Sequence, residues 1–155
     1  LLINRGLAAL DLAESFDGAR GPYVLQAAIA ACHARARTAD DTDWSRIVAL
    51  YDALAQLTPS PIIELNRAVA VSMAHGPAAG LELVDALAAE PALQAYHLLP
   101  AVRGDLLMKV GRFDEAASEL ARAASMTRNA AERNLLLDRA SAAGDAQATG
   151  GRSRM

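Results

Sequence analysis

One cysteine, Cys32, stands among 155 residues. A lone thiol closes no internal disulfide, and thiolate-rich zinc sites are excluded with it. Aromatic residues are nearly as scarce, at 4%, so the core has to be assembled from Ala, Leu, Ile and Val. Basic charge is not in excess: 15 Lys and Arg stand against 18 Asp and Glu, a formal charge of −3. A nucleic-acid-binding domain normally presents a basic face, and this composition supplies none. No apolar run approaches the roughly 18 residues that span a bilayer, and no signal peptide is visible. Strand-like alternation is missing throughout. A reducing, cytoplasmic setting and an all-α chain follow as expectations.

Hydrophobic residues make up 53% of the chain, many of them alanine. Alanine favours helix and lets helices approach closely. Apolar periodicity near 3.6 recurs between Gly, Pro and Asp breaks, and it predicts eight helices. The first covers Leu2 to Ser15. The second has Pro22 in its first turn, where a missing N–H costs nothing, and runs to Arg37. After the polar cluster "TADDTD" the third runs from Trp44 to Leu57. Its predicted buried stripe is Ile47, Leu50, Tyr51, Leu54 and Leu57, with Arg46, Asp52 and Gln56 outward. The fourth, Pro61 to Ala74, is apolar almost all round, which predicts a place in the middle of a stack. "HGP" leads into a fifth, Ala78 to Ala89. Pro91 is expected to open the sixth, ending at Val110, with Pro100 kinking it or marking its true start. The seventh is Phe113 to Met126. The eighth starts at Asn129, with Glu132 three residues on as in a capping box. The tail "GDAQATGGRSRM" has little to bury and is expected to fray. The chain therefore reads as one helical domain over residues 1–144 and a flexible tail over 145–155. Its opening at Leu1, already in helical pattern, reads as a fragment of a longer protein.

A repeat emerges near "LLMKVGRFDEAASELARAASM". Gly104, Gly111, Phe113, Ala116, Leu120 and Ala123 follow the tetratricopeptide order of small, Gly, aromatic, Ala, large and Ala. Gly104 and Ala116 fall where two helices of a hairpin cross, and Gly111 falls where the first helix closes. Ala68, Gly80, Val84, Leu87 and Pro91 hold comparable slots one repeat earlier; Ile47, Tyr51, Leu54 and Pro59 hold those of a still earlier unit. Helices two and three, four and five, and six and seven then form antiparallel hairpins, capped by helix eight. The predicted fold is a tetratricopeptide-like stack, a right-handed solenoid whose concave face binds a peptide or another domain.

Chemistry is harder to find. His33, His75 and His97 lack a His or Cys partner at metal spacing on one helix face. Cys32 and His33, being adjacent, point to different faces. The Gly-containing "GARGP" and "GPAAG" follow no strand, so they are not phosphate loops. Asn66 and Arg67 interrupt an apolar helix. They read either as a concave-face peptide contact or as a buried network tying hairpins together through Asp43 or Glu64. Tyr23, Gln26 and Trp44 share that ambiguity, Trp44 reading best as a packing anchor. Gln26, Asn66, Arg67 and Arg103 are the candidate protein-contact residues. No catalytic, cofactor-binding or metal site is predicted.

"GPYVLQAAIAACHARA", "DDTDWSRIVALYDAL", "PSPIIELNRAVAV" and "HGPAAGLELVDAL", in that order, resemble the C-terminal extension of a group of bacterial extracytoplasmic-function (ECF) RNA polymerase sigma factors. The resemblance covers Gly6 to Ala143. It implies a tetratricopeptide-type helical domain, two N-terminal sigma domains absent from this chain, and a non-catalytic role in transcription initiation. It also implies a partner: RNA polymerase, the sigma domains of the same polypeptide, or both. Promoter DNA would be read only by the N-terminal domains. Two other functions fit the residues: a free-standing peptide-binding scaffold, and a small-molecule or metal-binding helical domain using His33 and His97.

Overall fold

The structure, a computed structural model, describes residues 21–37 and 39–152. Among these residues there are seven α-helices and no strand: α1 (Gly21–Arg35), α2 (Trp44–Leu57), α3 (Pro61–His75), α4 (Pro77–Ala86), α5 (Leu98–Val110), α6 (Phe113–Met126) and α7 (Ala130–Arg152). Two short 3-10 segments, Ala39–Asp41 and Pro91–Leu93, lie in connections. The helix expected at Leu2 to Ser15 lies outside the described residues. The chain divides into two compact units, one ending at Gly76 and the other starting at Pro77.

In the first unit α1 packs on α2, and α2 on α3. Asp43 starts α2, its carboxylate accepting the Arg46 backbone N–H at 3.1 Å, which satisfies one of the donors a helix start leaves unpaired. Leu25, Ile29 and Cys32 of α1 are buried, as are Ile47, Val48, Leu50 and Leu54 of α2 and Leu65, Ala68 and Val71 of α3. Tyr51 and Leu57 of the predicted α2 stripe are half-buried. Pro61 occupies the first turn of α3. Gly76 ends that helix at φ 101°, a backbone angle that costs glycine nothing and other residues dearly. α3, apolar almost all round and expected in the middle of a stack, nevertheless leaves Ile62, Asn66 and Met73 exposed. At spacings of four and seven residues they form one stripe.

In the second unit α4 packs on α5, α5 on α6, and α6 on α7. Only Gly111 and Arg112 separate α5 from α6, so the two form a tight antiparallel hairpin. The turn is a Schellman closure: Gly111 sits at φ 84°, ψ 14°, its N–H donates to Met108 O, and the Arg112 N–H donates to Leu107 O. Both bonds satisfy carbonyls that the helix end would otherwise leave bare. Gly104 meets Leu120 across the pair; a Cβ there would lie 2.7 Å from Leu120 Cγ and 3.3 Å from the Leu120 backbone N. Close approach of these two helices therefore requires glycine at 104. Leu120, Ala123 and Ala124 of α6 continue into a buried cluster with Leu136 of α7.

Several boundaries differ from expectation, among them the end of α1, at Arg35 instead of Arg37. Pro91 opens a 3-10 segment instead of the long helix; α5 starts at Leu98. Pro100 lies in its first turn, where the absent N–H breaks no helical bond, so it marks the start without kinking a helix interior. α4 ends at Ala86 instead of Ala89. α7 runs on to Arg152, through the segment expected to fray. Its start is as predicted: the Asn129 side chain accepts the Glu132 N–H at 3.0 Å. The Glu132 carboxylate does not complete a capping box; it accepts from Thr127 Oγ1 at 3.2 Å and pairs with His97 Nε2 at 2.6 Å.

Candidate functional site

The four candidate contact residues fall into two groups. Gln26 on α1 and Asn66 on α3 are exposed, and neither side chain has a hydrogen-bond partner among the described residues. They are free to contact a partner. Beside Gln26, Tyr23 is 74% exposed.

Arg67 is built into the first unit. Its Nη1 donates to Asp52 at 3.0 Å, and its Nε and Nη2 donate to Glu64 Oε2 at 3.2 and 3.0 Å. Asp52 on α2 is only 12% exposed, so the expectation that it points outward is corrected. Of the two proposed carboxylate partners, Glu64 is the one used; Asp43 instead caps α2. Arg67 thus clamps α2 to α3. Trp44, expected as a packing anchor between hairpins, instead meets His33 on α1, the other helix of its own predicted hairpin, ring edge-on with centroids 5.5 Å apart. Cys32 is buried and His33 exposed, consistent with opposed faces.

Arg103 lies in the second unit, in an acidic setting that spacing alone did not disclose. Its Nε donates to Asp85 Oδ1 at 2.8 Å. Glu119 and Glu115 of α6 stand farther off, at 3.5 Å from Nη1 and 3.8 Å from Nη2. At 22% exposure Arg103 is not the freely exposed contact residue expected of it. Charge reversal here would gather four carboxylates and change stability as well as binding. The signal that was available is the i, i+4 pair Glu115 and Glu119, which shares one face of α6. Next to it, Arg112 donates to Glu115 through Nε at 2.9 Å. That bond, chiefly, holds the Glu115 carboxyl below its ordinary range and the Arg112 guanidinium above its own.

A cleft of about 310 Å³ opens beside Arg103. Buried Val84 and Leu99 form its floor, with Ala88 at the rim. Asp85, Arg103, Glu119 and Arg122 supply its polar wall. Among the described residues no group of three or more His, Cys, Asp or Glu is placed to hold a metal ion. No described helix is long and apolar enough to cross a membrane.

A protein of Rhizobium meliloti (strain 1021), described as uncharacterized, is similar to this chain: 45% identical over 131 residues, covering 84% of the chain and 30% of that protein. The chain thus spans less than a third of this relative's length. No protein-family model matches the chain, and no solved structure matches it.

Proposed function

We propose that the chain is a non-catalytic, cytoplasmic protein-interaction region of a bacterial ECF-type sigma factor, regulating promoter-specific transcription through contacts with RNA polymerase or with the sigma domains of the same polypeptide. The observation that carries this reading is the ordered set of four sequence strings, Gly21 to Leu87, that resembles the C-terminal extension of such factors. The helices add to it. The strings from α1 and α3 carry Tyr23, Gln26, Ile62 and Asn66 with their side chains exposed, whereas three arginines pair with carboxylates: Arg67 with Asp52 and Glu64, Arg103 with Asp85, and Arg112 with Glu115. The length of the Rhizobium relative leaves room for domains beyond the matched segment.

We also infer that the helices stack in the tetratricopeptide manner. The α5–α6 hairpin supports this through its Gly104–Leu120 crossing and its closure at Gly111.

The test is a reconstituted transcription assay with the polypeptide that carries these residues after its sigma domains. Deleting residues 21–155 should change promoter-specific output at equal protein concentration. The double substitution Gln26→Glu and Asn66→Asp should do so without altering the helical circular-dichroism signal, since exposed changes stay within about 0.5 kcal/mol. Unchanged transcription from both proteins would overturn the proposal.

A further inference from the structure

The cleft beside Arg103 has hydrogen-bonding capacity that the fold leaves unspent. Glu119 is only 17% exposed, yet among the described residues its carboxylate has no polar contact closer than Arg103 Nη1 at 3.5 Å and Arg122 Nη1 at 3.9 Å. Both contacts are looser than a charge-assisted hydrogen bond, which forms at roughly 2.7–2.9 Å. Arg103 uses its Nε on Asp85, and its Nη groups make only the loose contacts. Arg122 has no hydrogen bond from its side chain among the described residues. A part-buried carboxylate therefore adjoins two guanidinium groups without a short protein hydrogen bond to either. All of them line a cleft whose volume lies at the lower end of the roughly 300–1,000 Å³ common for small-molecule sites.

The charges select the ligand. Asp85 and Glu119 balance Arg103 and Arg122, and the nearby Glu115 is paired with Arg112, so the surroundings of the cleft are neutral overall. A simple anion entering it meets two carboxylates, and a simple cation meets two guanidiniums. A ligand carrying both charges close together meets complementary groups on each side. The floor formed by Val84 and Leu99 is apolar and closed to water, which suits an aliphatic chain and adds affinity in proportion to the apolar area covered.

We propose that this cleft binds a free α-amino acid with an aliphatic side chain. The ammonium sits at Glu119, the carboxylate spans Arg122 and the Nη groups of Arg103, and the side chain lies on Val84 and Leu99. Glu119 lies 3.5 Å from Arg103 Nη1 and 3.9 Å from Arg122 Nη1, so opposite charges are adjacent on the wall, as the ammonium and carboxylate on a single α-carbon are. Because the ligand touches both α4–α5 and α6, its occupancy holds these helices together, and the site can report amino-acid supply through the second unit. This inference does not rest on the transcription reading.

The experiment is isothermal titration of the full 155-residue chain with alanine, valine, leucine and isoleucine at millimolar concentration, alongside melting curves. At least one should bind saturably, one per chain, and raise the melting temperature. Leucinamide, without the carboxylate, and N-acetylleucine, without the ammonium, should bind at least tenfold more weakly than leucine. Arg122→Met should cost at least tenfold in affinity with the fold intact, since Arg122 is half exposed and only loosely paired. Glu119→Gln should also cost at least tenfold. The site is overturned if none of the four amino acids binds, if the charge-deleted analogues bind as well as leucine, or if Arg122→Met binds as the parent does.

Discussion

Each unit of this chain places an arginine among carboxylates, and the two are not used alike. Arg67 makes three hydrogen bonds at 3.0–3.2 Å, one from each of its nitrogens, so all three are held by carboxylates and two of its five N–H donors remain. Arg103 makes one, at 2.8 Å, and faces Glu119 and Glu115 at longer range across an open cleft. Their exposures are nearly equal, 21% and 22%, so burial does not separate them. Satisfaction does. An arginine held through all three of its nitrogens is a clamp; one held through Nε alone, beside a cleft, is available for binding.

The harshest way to break the second unit alone is at its helix crossing. Gly104→Leu forces a branched side chain into space where even a Cβ would lie 2.7 Å from Leu120 Cγ. The backbone N of Leu120 is near as well, so rotation of its side chain cannot relieve the whole clash. The expected loss is about 3 kcal/mol, the upper end of the overpacking range, read as a fall in the urea midpoint. Coincident denaturation curves for Gly104→Leu and parent would mean that α5 and α6 do not meet at Gly104.

The comparison of arginines is sharpened by making the same change twice. Arg67→Met should cost about 2 kcal/mol, because it withdraws three charge-assisted bonds from part-buried carboxylates. Arg103→Met should cost less, about 0.5–1 kcal/mol, because it withdraws one such bond, from a half-exposed Asp85, and relieves no tight pairing elsewhere. Both are read by urea denaturation of the full chain. Equal losses would erase the distinction between clamp and binding group.

These arginines also mark how far the sequence can be read. Helix periodicity and breakers locate the helices from α1 to α7, since each is set by residues within a few positions. Gly111 and Asn129 announce a helix end and a helix start by their own chemistry, and both serve as read. The start of α5 is misplaced because proline opens an α-helix or a 3-10 turn equally well, and the local pattern around Pro91 does not choose between them. The last turns of α7 were assigned to a tail on composition: three glycines between 144 and 151, around which no neighbour packs within 4 Å. Arg67 could be read as structural because its partner Glu64 lies one helical turn away. The surroundings of Arg103 could not, since Asp85, Glu115 and Glu119 come from α4 and α6 and converge only when three helices pack. Asp52 was placed outward for the same reason: its partner is 15 residues away, on the next helix.

The smallest expected effect lies at the edge of the Arg103 cluster. Arg112 and Glu115 pair on the surface, and the hydrogen bond from Arg112, followed by the nearby charges of Arg112 and Arg103, lowers the Glu115 carboxyl from its ordinary 4.5. A carboxyl with a lowered folded-state value binds its proton less readily in the folded chain than in the unfolded one. The pair's stabilisation is therefore fully present above the ordinary carboxyl range and is lost as pH falls through the lowered value. Both side chains are half exposed, so salt screens them and the effect on the melting temperature is slight. Glu115→Gln should melt slightly below the parent at neutral pH and low ionic strength. That gap should close as pH falls through the acid range, and it should narrow on addition of salt at neutral pH. Melting curves taken across both series decide the matter, and a gap that widens in acid would contradict the pairing.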